Sequence, residues 1–302
     1  MKTKDWLLFW FLGIIWGTSF LWIKIAVTEI SPFMLVSFRT LFAAAGLGIY
    51  LLIDCTARAS WQVVRPRLGV FFVLGLINIV VPWVLISWAE QFIDSGLASI
   101  LNATMPLFTI IISPFFVIDD RFTLPKAAGL LTGFSGVVIL LFPSVGGGWN
   151  DHLAGQAAML TATFFYAAAT VYARKKAHGL PAATQAFLQF SMGTVMIWAL
   201  TLATESPLII PRLPITWMAL LWLGLLGSGL AYIFYFAMLP RIGPTRMSMV
   251  TYIPPLVGVL LGIFFLGEGF YWESMLGALL ILSGISIVNL SPREKPDLNV
   301  AR

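Results

Sequence analysis

The sequence predicts an all-α integral membrane protein, with ten transmembrane helices arranged as a 5+5 inverted-topology repeat. Three observations carry that prediction. Hydrophobic residues make up 59% of the 302 residues and charged residues only 10%, against roughly 45–50% and about 25% in soluble domains. The basic residues gather on alternate connectors. The second half of the chain repeats local patterns of the first.

Apolar runs interrupted by Gly, Pro and charge place helices at 6–28, 32–53, 68–89, 95–117 and 127–143, then at 153–173, 185–204, 216–239, 245–266 and 272–290. Such runs approach the ~20 apolar residues needed to cross a hydrocarbon core of ~30 Å. They lack period-two alternation, which favours helices over a barrel. The first run is too long for the apolar core of a signal peptide and no A-x-A-like site ends it, so it is expected to stay in the mature chain. The longest connectors, 54–67, 174–184 and 205–215, leave no room for a soluble domain. Residues 291–302 are expected to form a disordered cytoplasmic tail.

An even number of spans puts both termini on one side. Fifteen of the eighteen Lys and Arg residues, from Lys2 and Lys4 through Arg174, Lys175 and Lys176 to Arg302, lie on that side. Arg212 alone lies opposite, and Lys24 and Arg39 fall inside spans. Positive charge marks the cytoplasm, so both termini are expected there, in a plasma or inner membrane. The net charge of +5 is thus a topology signal, and no nucleic-acid partner is implied. One cysteine, Cys55, excludes an intrachain disulfide, and His152 and His178 lie apart in connectors. No metal site or cofactor is expected. The expected partners are a small-molecule substrate and the lipid bilayer, with the chain a monomer or weak dimer.

Internal repetition refines the architecture. A shift of 149 places Ser99 on Ser248, Pro106 on Pro255, Asp119 on Glu268 and Pro32 on Pro181. A shift of 148 places Gly129 and Gly136 on Gly277 and Gly284. The units are 1–145 and 150–290, with five spans each. An odd number per unit makes the second enter the membrane from the opposite face, as in many secondary transporters that bind substrate near the midplane between repeats.

The stretches WGTSFLWIK (16–24), SPFMLVSFRTLFAAAG (31–46), MPLF (105–108), LGLLGSGLAYIFYFAMLPRIGPTRMSM (223–249) and GALLILSGISIV (277–288) resemble the EamA family of the drug/metabolite transporter superfamily. The resemblance covers about residues 5–290. It implies ten helices, a 5+5 inverted repeat, cytoplasmic termini and export of small metabolites or amino acids. Gly267-Glu268 keeps the family's Gly-Glu form, whereas the first half has Asp119-Asp120-Arg121 in place of the more usual Gly-Glu-Arg.

Polar groups within spans are candidates for function because hydrocarbon penalises them. Ser99, Asn102, Pro106, Thr109 and Ser113 share one face of the fourth helix, and Ser248, Thr251, Pro255, Gly258 and Gly262 repeat that spacing on the ninth. Pro106 and Pro255 are expected to break their helices beside a central cavity, although small residues on such a face also suit helix packing. Tyr166 on helix six and Ser228, Tyr232 and Tyr235 on helix eight are expected to form aromatic walls, with Asn78 a further polar candidate. Lys24 reads equally as a snorkelling side chain or a substrate contact. Arg39 lies deeper. Its first reading is an ion pair with Glu29 or Glu90; its second is capture of a substrate carboxylate.

These features point to a secondary transporter exporting an amino acid, aromatic or drug-like metabolite by alternating access. No P-loop motif supplies ATP drive. A sugar or nucleotide-sugar carrier is the alternative within the class, disfavoured by the scarcity of basic groups for a phosphate. A membrane enzyme would need motifs such as H-E-x-x-H or G-x-S-x-G, which do not occur, so no catalytic residue is expected. No acidic residue is expected at mid-span, which leaves facilitated diffusion or exchange at least level with proton antiport.

Overall fold

The computed structural model describes residues 3–54, 59–116, 123–145, 150–177, 179–235, 238, 249–269 and 271–290. Ser248, the Asp119-Asp120-Arg121 element and the tail from 291 lie outside the described residues. Among the described residues the ordered elements are all helical. Ser31 opens α2 (Pro32–Ile53) by accepting a hydrogen bond from the Met34 amide at 3.0 Å, and Pro32 fills the first position, where no amide is needed. Before it runs α1 (Thr3–Ala26). After it come α3 (Trp61–Ala89) and α4 (Ser95–Phe116), then α5 (Leu124–Val145). Asn150 caps α6 (Asp151–Lys176) through the Leu153 amide at 2.8 Å. The remainder are α7 (Ala182–Thr204), α8 (Pro214–Tyr235), α9 (Val250–Leu266) and α10 (Trp272–Leu290).

Seven of these, α1 to α5, α7 and α8, are long and apolar enough to cross a membrane. Two more, α9 and α10, are apolar but shorter, and α6 is long but more polar. Phe115, Leu124, Leu131 and Phe264 are each more than three-quarters exposed, an outer surface that water would penalise and hydrocarbon tolerates. The chain is an all-helical, multi-pass membrane protein. Its third helix begins at Trp61 rather than 68, because a turn containing Arg65 and Arg67 extends the helix beyond its apolar run.

Small residues let the helices approach. A Cβ at Gly284 would stand 2.4 Å from the Gly129 carbonyl oxygen, one at Gly129 2.5 Å from that of Gly284, and one at Gly136 2.6 Å from that of Gly277. The α5–α10 crossing therefore requires glycine on both sides, as expected where apolar burial cannot drive association. Hydroxyl pairs bridge other helices: Ser37 with Thr201 at 2.9 Å and Thr104 with Thr163 at 3.1 Å.

Extensive contacts also come in matched sets. α2 packs on α7, α4 on α9 and α5 on α10. The α3–α6 contact is mirrored by α8–α1, α4–α6 by α9–α1, and α2–α8 by α7–α3. Distortions are matched as well. A π-helical turn occupies Leu76–Val80 of α3 and another Trp222–Leu230 of α8. α4 is interrupted between Ser95–Asn102 and Met105–Phe116, while a 3₁₀ turn, Met249–Tyr252, leads into α9, which turns α-helical at Ile253.

Candidate substrate site

The α8 π turn meets a buried cation. Arg39 is 7% exposed, on α2. Its Nε donates to Ser228 Oγ at 3.2 Å, and its guanidinium carbon lies 3.7 Å from the centre of the Trp83 ring, within cation–π range. Ser228 lies in the α8 π turn and donates to the Leu223 carbonyl, five residues back, at 2.8 Å. The widened turn thus supplies the hydroxyl that meets Arg39, consistent with the concentration of π turns at functional positions. Among the described residues Arg39 makes no ion pair. Its one hydrogen bond there is the one from Nε.

Aromatic side chains enclose this cation. Tyr166 of α6 and Tyr232 of α8 are near enough to feel its charge. Ring contacts continue from Trp83 to Phe190 (5.6 Å between centroids), Phe190 to Tyr232 (5.2 Å), Tyr232 to Tyr235 (6.5 Å) and Tyr235 to Trp16 (5.9 Å). Asn78, in the α3 π turn, donates to Gln189 Oε1 at 3.1 Å. The structure therefore gathers Arg39, Tyr166, Ser228, Tyr232, Tyr235 and Asn78 in one cluster. Trp83, which is not among the candidates named from the sequence, is a principal contact. Its only signal was a position inside a span.

Several expectations need correction. Arg39 pairs with neither Glu29 nor Glu90: Glu29 accepts from the Arg212 and Leu213 amides at the start of α8, and both Glu90 oxygens are unpartnered. Lys24 Nζ donates to the carbonyls of Glu90 (2.6 Å) and Ile93 (2.8 Å), so it caps the end of α3. Ser99 is fully buried, bonds the Gly96 carbonyl at 2.7 Å, and fills the space beside Gly258, where a Cβ would come within 2.5 Å of it. It packs helices instead of lining a cavity. Pro106 and Pro255 occupy the first turns of the segments that follow the interruptions, where a missing amide is least costly; the interruptions precede them. Asn102 ends the first segment of α4 and Thr251 lies in the matched 3₁₀ turn of α9. No hydrogen bond among the described residues ties Asn102 to the Arg39 cluster.

A second polar region lies at the end where α1 meets α2 and α3 meets α4. Gly267, at φ 66°, ends α9 in the left-handed conformation and returns the chain so that Glu268 accepts from the Ser95 (2.7 Å) and Gly96 (3.0 Å) amides. A carboxylate there complements the N-terminus of α4. Beside it a cavity of about 690 Å³ opens between α4, α9 and the α5–α10 pair, with Asp94, His152, Gln156 and Pro255 on its wall. Burial, reinforced by Glu268, raises the Asp94 pKa. Burial also pushes the Glu90 carboxyl well above the usual glutamate range, against the opposing charges of Lys24 and Arg39.

The fold is shared with a known protein. A solved crystal structure superposes with a TM-score of 0.65 over 95% of this chain and 97% of its own, at 18% identity, a likeness of fold. The uncharacterized transporter YoaV of Bacillus subtilis is 26% identical, covering 90% of this chain and 92% of its own. The uncharacterized inner membrane transporter YedA of Escherichia coli K12 is 29% identical, over 83% and 79%. Protein PecM of Dickeya dadantii is 28% identical, over 95% and 92%. The EamA-like transporter family matches twice, at residues 5–142 and 153–290. The chain belongs to that family of transporters and is not an enzyme.

Proposed function

We propose that this transporter exports a small organic solute bearing a carboxylate and an apolar or aromatic body, such as an amino acid or aromatic metabolite. The observation that carries the reading is the buried Arg39 without a carboxylate partner, met by Ser228 of the α8 π turn and enclosed by Trp83, Tyr166 and Tyr232. A guanidinium in such a setting calls for an anion, since an unpaired buried charge is costly. The aromatic rings offer the apolar remainder of a solute a surface.

In this reading all ten helices span, units 1–145 and 150–290 form an inverted repeat, and both termini are cytoplasmic. Alternating access then follows from rocking of the units about the site. The matched helix contacts, the matched distortions and the two separate family matches support it. Asn102 and Thr251 contribute from the two helix interruptions, and Ser248 is included on its place in the sequence before Thr251 alone. The protein works as a monomer or weak dimer. A phosphorylated sugar fits less well, because Lys24 is engaged by backbone carbonyls and Arg39 alone remains.

Purified protein in proteoliposomes, assayed by counterflow against a panel of amino acids, aromatic carboxylates, amines and sugars, tests the proposal. Carboxylate-bearing solutes should exchange and their amides should not. Exchange of sugars alone would overturn it.

A further inference from the structure

Glu90 is the one buried carboxyl of the described residues whose two oxygens both lack a hydrogen-bond partner. It is fully buried at the end of α3. Three charged groups act on it. From α1, Lys24 is held on the main-chain carbonyls of Glu90 and Ile93 and not on the carboxylate. From α2, Arg39 acts on it electrostatically. From the α9–α10 link, Glu268 adds negative charge while its own oxygens accept from Ser95 and Gly96. Asp94 follows in the same link between α3 and α4, and His152 of α6 acts on Asp94. No well-formed hydrogen bond reaches the Glu90 oxygens, the Lys24 backbone amide being the donor that acts on them most weakly, yet two cations are near enough to act on its charge. An ionised carboxylate should either accept hydrogen bonds or pair; a neutral acid needs far less.

We propose that Glu90 is a proton-binding site that couples solute movement to the pH difference across the membrane. The proposal rests on the transporter reading above and names its coupling ion. In the arrangement described, one Glu90 oxygen carries the proton, and the terminal amino groups of Arg39 are left for a solute carboxylate. When the O–H bond breaks and the proton passes to water, the resulting carboxylate draws Arg39 or Lys24 into an ion pair. Pairing with Arg39 competes with the solute for the same guanidinium. Proton and anionic solute therefore favour the same state and move together, and export proceeds where the outward solute gradient exceeds the inward proton gradient. Because pairing would tie α3 to α1 or α2, the proton also decides which helices are tethered at this end of the bundle.

Infrared difference spectroscopy tests the proton site without any solute. Reconstituted wild type, titrated from acid to alkaline pH, should keep the carbonyl stretch of a protonated carboxylic acid at neutral pH and lose it in alkali. Glu90→Gln should lack that band while its amide signals report intact helices. If Glu90→Gln does not fold, Glu90→Asp should shift the band. A neutral-pH spectrum without the band, or one unchanged in both variants, overturns the proposal. In proteoliposomes, a panel solute carried by wild type should be accumulated under an imposed pH gradient. Glu90→Gln should exchange it but lose gradient-driven accumulation; accumulation equal to wild type would overturn the coupling even with the band present. If no panel solute moves in either protein, the proposed substrate class fails, whereas the infrared titration still decides the proton site.

Discussion

At the scale of single residues, charge is decided by neighbours that lie far away in the chain. Arg39 meets Ser228 and Trp83, so removing it should spare the fold and cost the solute. Arg39→Met is expected to keep a melting temperature at or above wild type, because it removes a desolvated charge. Its affinity for a carboxylate solute should fall roughly ten- to a hundredfold, the value of a charged hydrogen bond of ~1.5–3 kcal/mol. A lower melting temperature with unchanged counterflow would show a structural role instead. Tyr166→Phe should weaken affinity by about two- to tenfold through one neutral hydrogen bond of ~0.5–1.5 kcal/mol. Glu90 carries a pH signature. Its carboxyl binds a proton more tightly in the folded state than at the ordinary value of 4.5, so its contribution to stability is complete below that value and is lost as pH rises through the folded one. The melting temperature of wild type minus that of Glu90→Gln should therefore fall with rising pH; parallel curves would contradict it. The depth of Arg39 was legible from its place in a span. Its partners were not, because hydropathy says how far a charge lies from water and nothing about what it touches.

At the scale of elements, helical periodicity located faces correctly and assigned some of them the wrong neighbour. Ser99 lies on the polar face the sequence indicates, but that face meets Gly258 of α9 at packing distance. The repeated glycines have a definite consequence. Gly284→Leu would drive a side chain into the α5 backbone, with the first carbon 2.4 Å from the Gly129 oxygen, and should destabilise by about 1–3 kcal/mol. Gly69→Ala is the contrast, since nothing lies within 4 Å of the new carbon; thermal unfolding in detergent should show it neutral or slightly stabilised. The Gly-Glu element ending α9 also becomes physical. Glu268→Ala, which strips two amide partners from the start of α4, should cost about 0.5–2 kcal/mol, the range of a lost helix cap. The same unfolding assay checks it, and a melting temperature equal to wild type would dismiss the cap. The π turns left no signature in the periodicity, because one extra residue in a turn barely disturbs a continuously apolar run.

For the whole molecule, the basic residues predict orientation, and labelling can test it. Cysteines introduced at 149 and 212 should react with an impermeant maleimide in intact cells, while those at 61 and 177 should not. Reversed labelling would invert the proposed topology. What the sequence by itself determined is the class: a multi-pass helical membrane protein of the EamA-like transporter family. Apolar length, composition and repetition are sums along a chain, and they survive without knowledge of any contact. The tertiary structure alone decided which polar groups act together. It placed Arg39 against Ser228 and Trp83, turned Lys24 onto backbone carbonyls, gave Ser99 to packing and buried Glu90 without a hydrogen-bond partner. The reason is range: a charge or hydroxyl is governed by atoms within a few ångströms, and in this bundle those atoms come from helices up to about 190 residues away.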